Sequence, residues 1–166
     1  MPEENFVEKY LITEDLHYFL KKKEFVYLAT CASNHQPYVA PKFLIRIDGD
    51  SVYLADYVMG RAFENLKSNP KVSFSILNLD NLMGYQMTGL AQSLEKGDEF
   101  DEILKDLEKR KMHFTVERIV EGARQSKKHE NFEVAFPDHL AIIKITVEEI
   151  VHIAPGGGVK KSSRKK

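Results

Sequence analysis

The chain has 166 residues and a net charge of −1, with 24 Lys and Arg against 25 Asp and Glu, which argues against nucleic acid as the main partner. The single cysteine, Cys31, excludes an internal disulfide, and no apolar run approaches the ~20 residues that a membrane-spanning helix needs. The six histidines contain no i, i+4 pair, so we predict no metal site and expect one cytoplasmic domain without a membrane partner.

The first half of the chain predicts one helix followed by a series of strands. Thr13 is a good N-cap residue and two acidic residues follow it, so a helix is predicted over residues 13–23. A second, short helix opens at Gly60 and ends at Asn69-Pro70, because proline cannot continue a helix. Runs of β-branched and aromatic residues predict strands over residues 25–32, 38–47, 51–56, 72–77 and 85–94.

The second half of the chain changes to helical spacing and then returns to a β-rich pattern. Apolar residues among charged ones predict a helix over residues 98–111, and a further helix is predicted over residues 116–124. Residues 131–136 are predicted to be irregular or a short strand. Residues 139–153 are predicted to form the last strand, bent near Glu148-Glu149.

The predicted fold is mainly β with flanking helices, in one domain over residues 1–154. Strands in near succession indicate an antiparallel sheet, and strands this apolar close into a barrel or bury one face against a partner. A hydrophobic second face favours a homodimer. Residues 155–166 combine three glycines with basic residues and are predicted to be a flexible basic C-terminal tail.

Two residues inside the predicted strands call for a local explanation. Pro41 cannot donate a ladder hydrogen bond, so its strand has an edge, a bulge or a ligand at that point. Thr88-Gly89 is a small, polar patch in an otherwise apolar strand. It indicates either a β-bulge or the close approach of a flat ligand to the backbone.

Two cations suggest an anion site near the Asp48-Gly49 hairpin. Arg61 begins the short helix, where its guanidinium and the free backbone N–H groups suit a phosphate, although a solvated Arg is favoured on local sequence alone. Lys42 lies in an apolar strand and should face solvent, a carboxylate or a ligand phosphate. The hairpin allows Lys42 and Arg61 to converge. Asp56, at the end of the third strand, either accepts a hydrogen bond from a ligand or caps a turn.

A family resemblance covers about residues 16–94, and the last strand loosely. The segments that carry it are Phe25–Ala32, Gln36–Pro41, Ile47–Ala55, Gly60–Ser73 and Met87–Ala91. Together they resemble the pyridoxamine 5'-phosphate oxidase-like FMN-binding split-barrel superfamily. The resemblance implies a six-stranded antiparallel split β-barrel and a homodimer, with FMN in each of two clefts at the interface.

The resemblance also implies which residues bind the flavin. Arg61 matches the family's phosphate-binding arginine, and Ala62 stands where many members carry a lysine, so Lys67 joins the phosphate candidates. Gly84 and Tyr85 correspond to residues that reach the flavin from the second subunit. The full set of candidate cofactor-binding residues is Ala40, Pro41, Lys42, Ala55, Asp56, Gly60, Arg61, Ala62, Lys67, Gly84, Tyr85 and Thr88.

The resulting hypothesis is an FMN-binding flavoprotein that acts as an oxidoreductase or electron carrier, with no catalytic residue marked by the sequence. The true oxidase has a C-terminal Arg and His pattern that is missing after His152, so oxidation of pyridoxamine phosphate is not expected. The alternatives are a deazaflavin-dependent reductase, a haem-binding split-barrel protein with His113, His139 or His152 as axial ligand, and a non-catalytic binding module.

Overall fold

The computed structural model describes residues 10–125 and 139–164, in three helices and seven strands. In chain order the elements are α1 (Glu14–Lys21), β1 (Phe25–Cys31), β2 (Pro37–Asp48), β3 (Ser51–Asp56), α2 (Arg61–Ser68), β4 (Lys71–Asn78), β5 (Met83–Leu94), α3 (Asp98–Arg124), β6 (Ala141–Ile153) and β7 (Val159–Ser163). The first helix and the six predicted strands are confirmed, with end points that differ by a few residues.

The sheet is antiparallel and closes on itself. Its strand order is β3-β2-β1-β4-β5-β6-β7, and β3 also pairs with β6. The N-terminal part of β6 pairs with β3 from Ala141 to Thr146, whereas its C-terminal part pairs with β7 from Glu149 to Ile153. Strands β1 to β6 therefore form a closed six-stranded barrel, as the sequence predicts, and β7 extends the sheet where β3 has left β6.

Two hydrophobic clusters lie on the two faces of this sheet, because successive side chains of a strand point to opposite sides. The barrel interior includes the buried side chains Val26, Leu28, Leu44, Leu54, Phe74, Met87, Ile143 and Ile145. The second cluster lies outside the barrel, where α3 packs on β2, β3 and β6. It includes Phe43, Ile45, Tyr53, Ala55, Ile142, Ile103, Leu107 and Phe114.

The prediction of two helices between β5 and β6 is wrong, because α3 runs without a break from Asp98 to Arg124. Phe114 lies in the predicted gap and is buried, with its ring edge-on to that of Phe43. Packing on the sheet therefore carries the helix through residues of modest helix propensity. Residues 131–136, predicted to be irregular or a short strand, lie outside the described residues.

The predicted flexible tail over residues 155–166 is corrected in part, because Val159–Ser163 form β7. Gly156 and Gly157 adopt positive φ values of 87° and 89°, which glycine accepts without steric cost, and they close a tight hairpin after β6. The C-terminal part of β6 offers unpaired backbone groups on the side that β3 has left, and β7 satisfies them.

The structure explains both unusual strand residues. Leu44 donates to the Glu24 carbonyl, so by alternation Tyr27 and Pro41 form a non-hydrogen-bonded pair and the proline nitrogen faces the open edge beyond β3. At Gly89, the register between β5 and β6 shifts by one residue, and a side chain there would clash with the Thr146 carbonyl. Gly89 therefore marks a β-bulge, and β6 makes the close backbone approach.

Candidate functional site

Lys42 and Asp56 form a buried ion pair at the point where β2 and β3 part. Lys42 Nζ lies 2.6 Å from Asp56 Oδ1, and the two side chains are 7% and 0% exposed. Of the three partners that the sequence allowed for Lys42, the structure therefore selects a carboxylate. Two buried charges stabilise a fold only when they are closely paired, so this contact fixes the end of β3.

Asp56 also organises the turn that leads into α2. Its Oδ1 accepts hydrogen bonds from the backbone N–H groups of Val58 and Met59, at 3.3 and 3.2 Å. Met59 has a φ of 45°, a left-handed conformation that is uncommon for a side chain of this size. The second carboxylate oxygen, Oδ2, is buried and has no hydrogen-bond partner among the described residues. Asp56 thus caps the turn and keeps one acceptor unused.

Arg61 is the first residue of α2, and its environment suits an anion. Gly60 is the N-cap residue and provides no side-chain hydrogen bond, so no cap residue competes for the free N–H groups of the first turn. The Arg61 guanidinium lies over the ring of Tyr38, 5.5 Å from its centroid. This cation–π contact holds the exposed guanidinium beside the N-terminus of α2.

Tyr38 is a site residue that the sequence analysis missed. It lies on β2, two and four residues before Ala40 and Lys42, so all three side chains point to the same face of the strand. Helix α2 packs on that face, and its Asn65 donates a buried hydrogen bond of 3.0 Å to Thr30 on β1. Tyr38, Ala40 and Lys42 follow one another at every second position, and this spacing in the sequence indicates that their side chains share one face of the strand.

Three of the candidate residues lie outside this arrangement. Ala55 points to the opposite face of β3 from Asp56 and packs in the cluster under α3. Ala62 is buried in the first turn of α2. Pro41 is exposed on the opposite face of β2 from Lys42, so only its backbone borders the site.

Lys67 does not converge with Arg61. The two residues are six positions apart on α2, or ~9 Å along the helix axis. The Lys67 ammonium pairs with Glu64 at 2.8 Å and lies over the Phe63 ring. It is therefore neutralised on the exposed surface of the helix, away from the N-terminus.

The candidate residues on β5 are three strands away from β2, at roughly 4.8 Å per strand. Gly84 and Thr88 lie on the outer face, where a shallow groove of about 300 Å³ crosses β1, β4 and β5. Tyr85 points inward, and its ring stacks on that of His152 with a 4.8 Å separation between centroids. One chain alone does not bring these residues to Arg61.

The three histidines that were candidates for a haem ligand, His113, His139 and His152, lie in different parts of the structure. The Nε2 atom of His152 is buried without a hydrogen-bond partner among the described residues, and His113 lies on α3 with its Nε2 atom 3.2 Å from Glu117 Oε1. His139 is exposed just before β6. The described parts of the chain contain no group of three His, Cys, Asp or Glu side chains that would hold a metal ion. Across residues 10–125 and 139–164, no helix combines the length and apolarity needed to cross a membrane.

Solved structures with the same fold include proteins of three different descriptions. A protein related to general stress protein 26, from Clostridium acetobutylicum, has a TM-score of 0.65 at 13% identity, with 90% of this chain and 92% of that one covered. A pyridoxamine 5'-phosphate oxidase-related, FMN binding protein from Nostoc punctiforme has 0.51 at 11%, covering 86% and 88%. A heme binding protein from Mycobacterium smegmatis has 0.58 at 16%, covering 85% of this chain and 53% of that one.

At these identities the structural likeness establishes the fold alone, and a search of curated protein sequences finds no match. The family comparison goes further. The model for the pyridoxamine 5'-phosphate oxidase family matches residues 12–153, which include every element from α1 to β6. The chain belongs to the pyridoxamine 5'-phosphate oxidase family.

Proposed function

We propose that this protein is an FMN-binding flavoprotein, which acts as an oxidoreductase or electron carrier with its flavin at a homodimer interface. The observation that carries the proposal is Arg61 at the uncapped N-terminus of α2, held over Tyr38. A guanidinium beside free backbone N–H groups is the arrangement that binds a phosphate ester. We call this region, made of Tyr38, Lys42, Asp56, Gly60 and Arg61, the cradle.

The phosphate end of FMN fits the cradle through one side chain and the helix backbone. Among the residues that the structure describes, Arg61 is the cation available there, because Lys42 is neutralised by Asp56 and Lys67 by Glu64. A bidentate guanidinium bond and several N–H groups suffice to orient a phosphate. The unused Asp56 Oδ2 matches a hydroxyl or ring N–H donor of the cofactor.

The second copy of the chain supplies the other half of the proposed site. Tyr27 and Val39 are 61% and 60% exposed on the outer face, beside the groove that borders Gly84. Exposed apolar side chains on adjacent strands favour burial against a second protein surface. In a two-fold dimer, Gly84 and the backbone of Tyr85 of one copy would complete the cradle of the other.

When bound, FMN supplies the redox chemistry by accepting a hydride or electrons, and the protein supplies binding and orientation. The residues of the cradle would hold the phosphate end and fix the ring between two chains. The same cradle accommodates the phosphate of a deazaflavin, so that alternative stays open to titration. Haem has no histidine among the described cradle residues to ligate its iron.

The proposal is tested by the visible absorption spectrum of the purified protein and by titration with FMN. A yellow protein, or one that takes up FMN with one flavin per chain, supports it. A colourless protein that binds neither FMN nor deazaflavin contradicts it, and a Soret band after haem addition without flavin uptake favours the haem alternative.

Arg61→Ala tests the observation that carries the proposal. The substitution removes the charge-assisted bond to the phosphate and should weaken FMN binding by about 1.5–3 kcal/mol. Lys67→Ala is the matched change on the same helix, and it should leave the affinity within about twofold because Lys67 is paired with Glu64. Fluorescence quenching of FMN measures both. Equal losses in the two variants would mean that the helix surface, not its N-terminus, binds the phosphate.

A further inference from the structure

A second cavity, separate from the cradle, lies between α1 and α3 above the C-terminal part of β2. Its volume is about 1060 Å³, which is large enough for an organic ligand. Leu44, Ile45 and Ile47 of β2 line its floor, with Phe114 of α3 beside them. We call this cavity the helix cleft. The β2 residues in its floor come after Lys42 in the sequence. The β2 residues of the cradle are Tyr38 and Lys42 itself.

Two partly buried arginines hold the helix cleft open in a fixed shape. Arg110 on α3 donates hydrogen bonds to the carbonyls of Leu44, Lys21 and Lys23, and so ties α3 to β2 and to the end of α1. Its burial lowers the pKa of the guanidinium from the usual value. Nearby, Arg118 pairs with Glu24 on the segment after α1. The two helices therefore keep their separation without a ligand between them.

The rim of the helix cleft carries uncompensated positive charge. Lys21 makes no ion pair with a described residue, and Lys22 lies over the Tyr18 ring, 4.1 Å from its centroid. The Lys109 ammonium has only a 4.0 Å contact with Asp106. By contrast, Arg46 in the same wall is neutralised by three carboxylates, Asp48, Glu102 and Asp106. Within the described part of the chain, the cations without a close carboxylate partner are thus concentrated at the mouth.

The lining also includes two histidines and two carboxylates, Asp106 and Glu117. His17 on α1 and His113 on α3 face the helix cleft from opposite walls. His113 and Glu117 are 3.2 Å apart on the exposed side of α3. An apolar floor with cations at the mouth is complementary to a molecule that has an apolar body and an acidic end. A neutral or cationic ligand would leave the lysines without a partner.

We propose that the helix cleft binds an amphipathic organic anion, a molecule with an aromatic or aliphatic body and one or more carboxylate, phosphate or sulfonate groups. The body contacts Ile45 and Phe114, and the acidic groups pair with Lys21, Lys22 and Lys109. This site is independent of the flavin and does not require the dimer. It leaves the cradle free, so both ligands bind one chain at the same time.

The experiment is a titration with 8-anilinonaphthalene-1-sulfonate, a fused aromatic body with one sulfonate, followed by its fluorescence. Saturable binding of one molecule per chain, displaced by dodecanoate and unchanged by saturating FMN, is the expected result. The double charge reversal Lys21→Glu and Lys109→Glu should weaken this binding by at least about tenfold, since each charge-assisted contact contributes about that much.

The matched control is Lys105→Glu paired with Lys96→Glu, which changes the net charge equally. Lys105 is exposed on α3 and neither lysine lines the helix cleft, so the control should bind the probe as the original protein does. Equal weakening in both double variants, or displacement of the probe by FMN, would overturn the proposal. So would adsorption to phosphatidylglycerol vesicles without saturable binding of the soluble probe. Far-UV circular dichroism verifies that each variant is folded.

Discussion

The outer surface of the barrel has two halves, built from the same sheet, and the described residues of the chain cover only one of them. On the covered half, α3 packs on β2, β3 and β6 and buries Phe43, Tyr53 and Ile142. On the bare half, formed by β1, β4, β5 and the first part of β2, Tyr27 and Val39 remain exposed. A strand such as β2 thus passes from one half to the other along its length.

The comparison shows that one half of the barrel surface contributes to the stability of the fold, whereas the other half stays available for recognition. The residues of the covered half complete the hydrophobic core. The register between the strands fixes their positions under α3. The bare half keeps apolar groups beside small residues such as Ser73, Ser75 and Gly84, which allow another backbone to approach closely. The cradle lies at the boundary of the two halves, where Lys42 and Asp56 come directly before Phe43 and after Ala55.

The largest expected effect is at that boundary. Asp56→Ala should lower the free energy of unfolding by about 3–5 kcal/mol, because it leaves the Lys42 ammonium buried without its carboxylate. Urea denaturation followed by circular dichroism measures the loss. The double variant Lys42→Met with Asp56→Leu is the control and should recover most of the stability, since it removes both charges. A single variant no less stable than the double one would mean that solvent reaches Lys42.

The covered half is tested by Leu107→Ala. Leu107 is fully buried between α3 and the sheet, so its truncation should cost about 2–5 kcal/mol through lost contacts and the cavity that remains. Tyr27→Ala on the bare half is the comparison, and in dilute monomer it should change stability by about 0.5 kcal/mol or less. Comparable costs at both positions would show that the bare half is covered in solution.

The strands and the family pattern were predictable from the sequence because their signals are local. Asp48-Gly49 fixes one hairpin, and the alternation of β1 and β4 fixes which side chains face the interior. The unbroken α3 was not predictable, because Phe114 packs against Phe43, a residue that is distant in the sequence. The strand β7 was missed for a related reason. Residues 159–163 form a strand because they pair with the free edge of β6, and their own sequence does not indicate this.

The candidate site was predictable in position and not in detail. Arg61 follows from the helix start and from the family resemblance. The pairing of Lys42 with Asp56 depends on the register between β2 and β3, which brings two residues 14 positions apart to one buried point. The helix cleft was invisible in the sequence, because it depends on the separation of α1 and α3, two helices that are distant in the chain.

The bare half is tested directly by Val39→Asp. If a second copy covers this surface, burying a carboxylate there should weaken dimer formation by about 2 kcal/mol or more, roughly thirtyfold in the dissociation constant. Sedimentation equilibrium measures this constant, and Lys105→Asp, at an exposed position of α3 on the covered half, is the polar control. An original protein that stays monomeric at high concentration would remove the homodimer from the proposed function and leave the cradle incomplete.

The smallest effect concerns the edge of the covered half and appears only at alkaline pH. Burial of Tyr57, with the Glu24 carboxylate nearby, raises the pKa of its phenol from 10.0 to about 12. Below pH 10 the phenol is protonated in both states and the stability is fully present. Between pH 10 and about 12, the unfolded chain loses this proton while the folded chain keeps it, so the free energy of unfolding falls, by on the order of 1–2 kcal/mol. Over this pH range, the urea concentration at the midpoint of unfolding should fall less steeply with pH for Tyr57→Phe than for the original protein. If the midpoint changes equally with pH in both proteins, the Tyr57 phenol is in contact with water. The covered half would then end at Ala55.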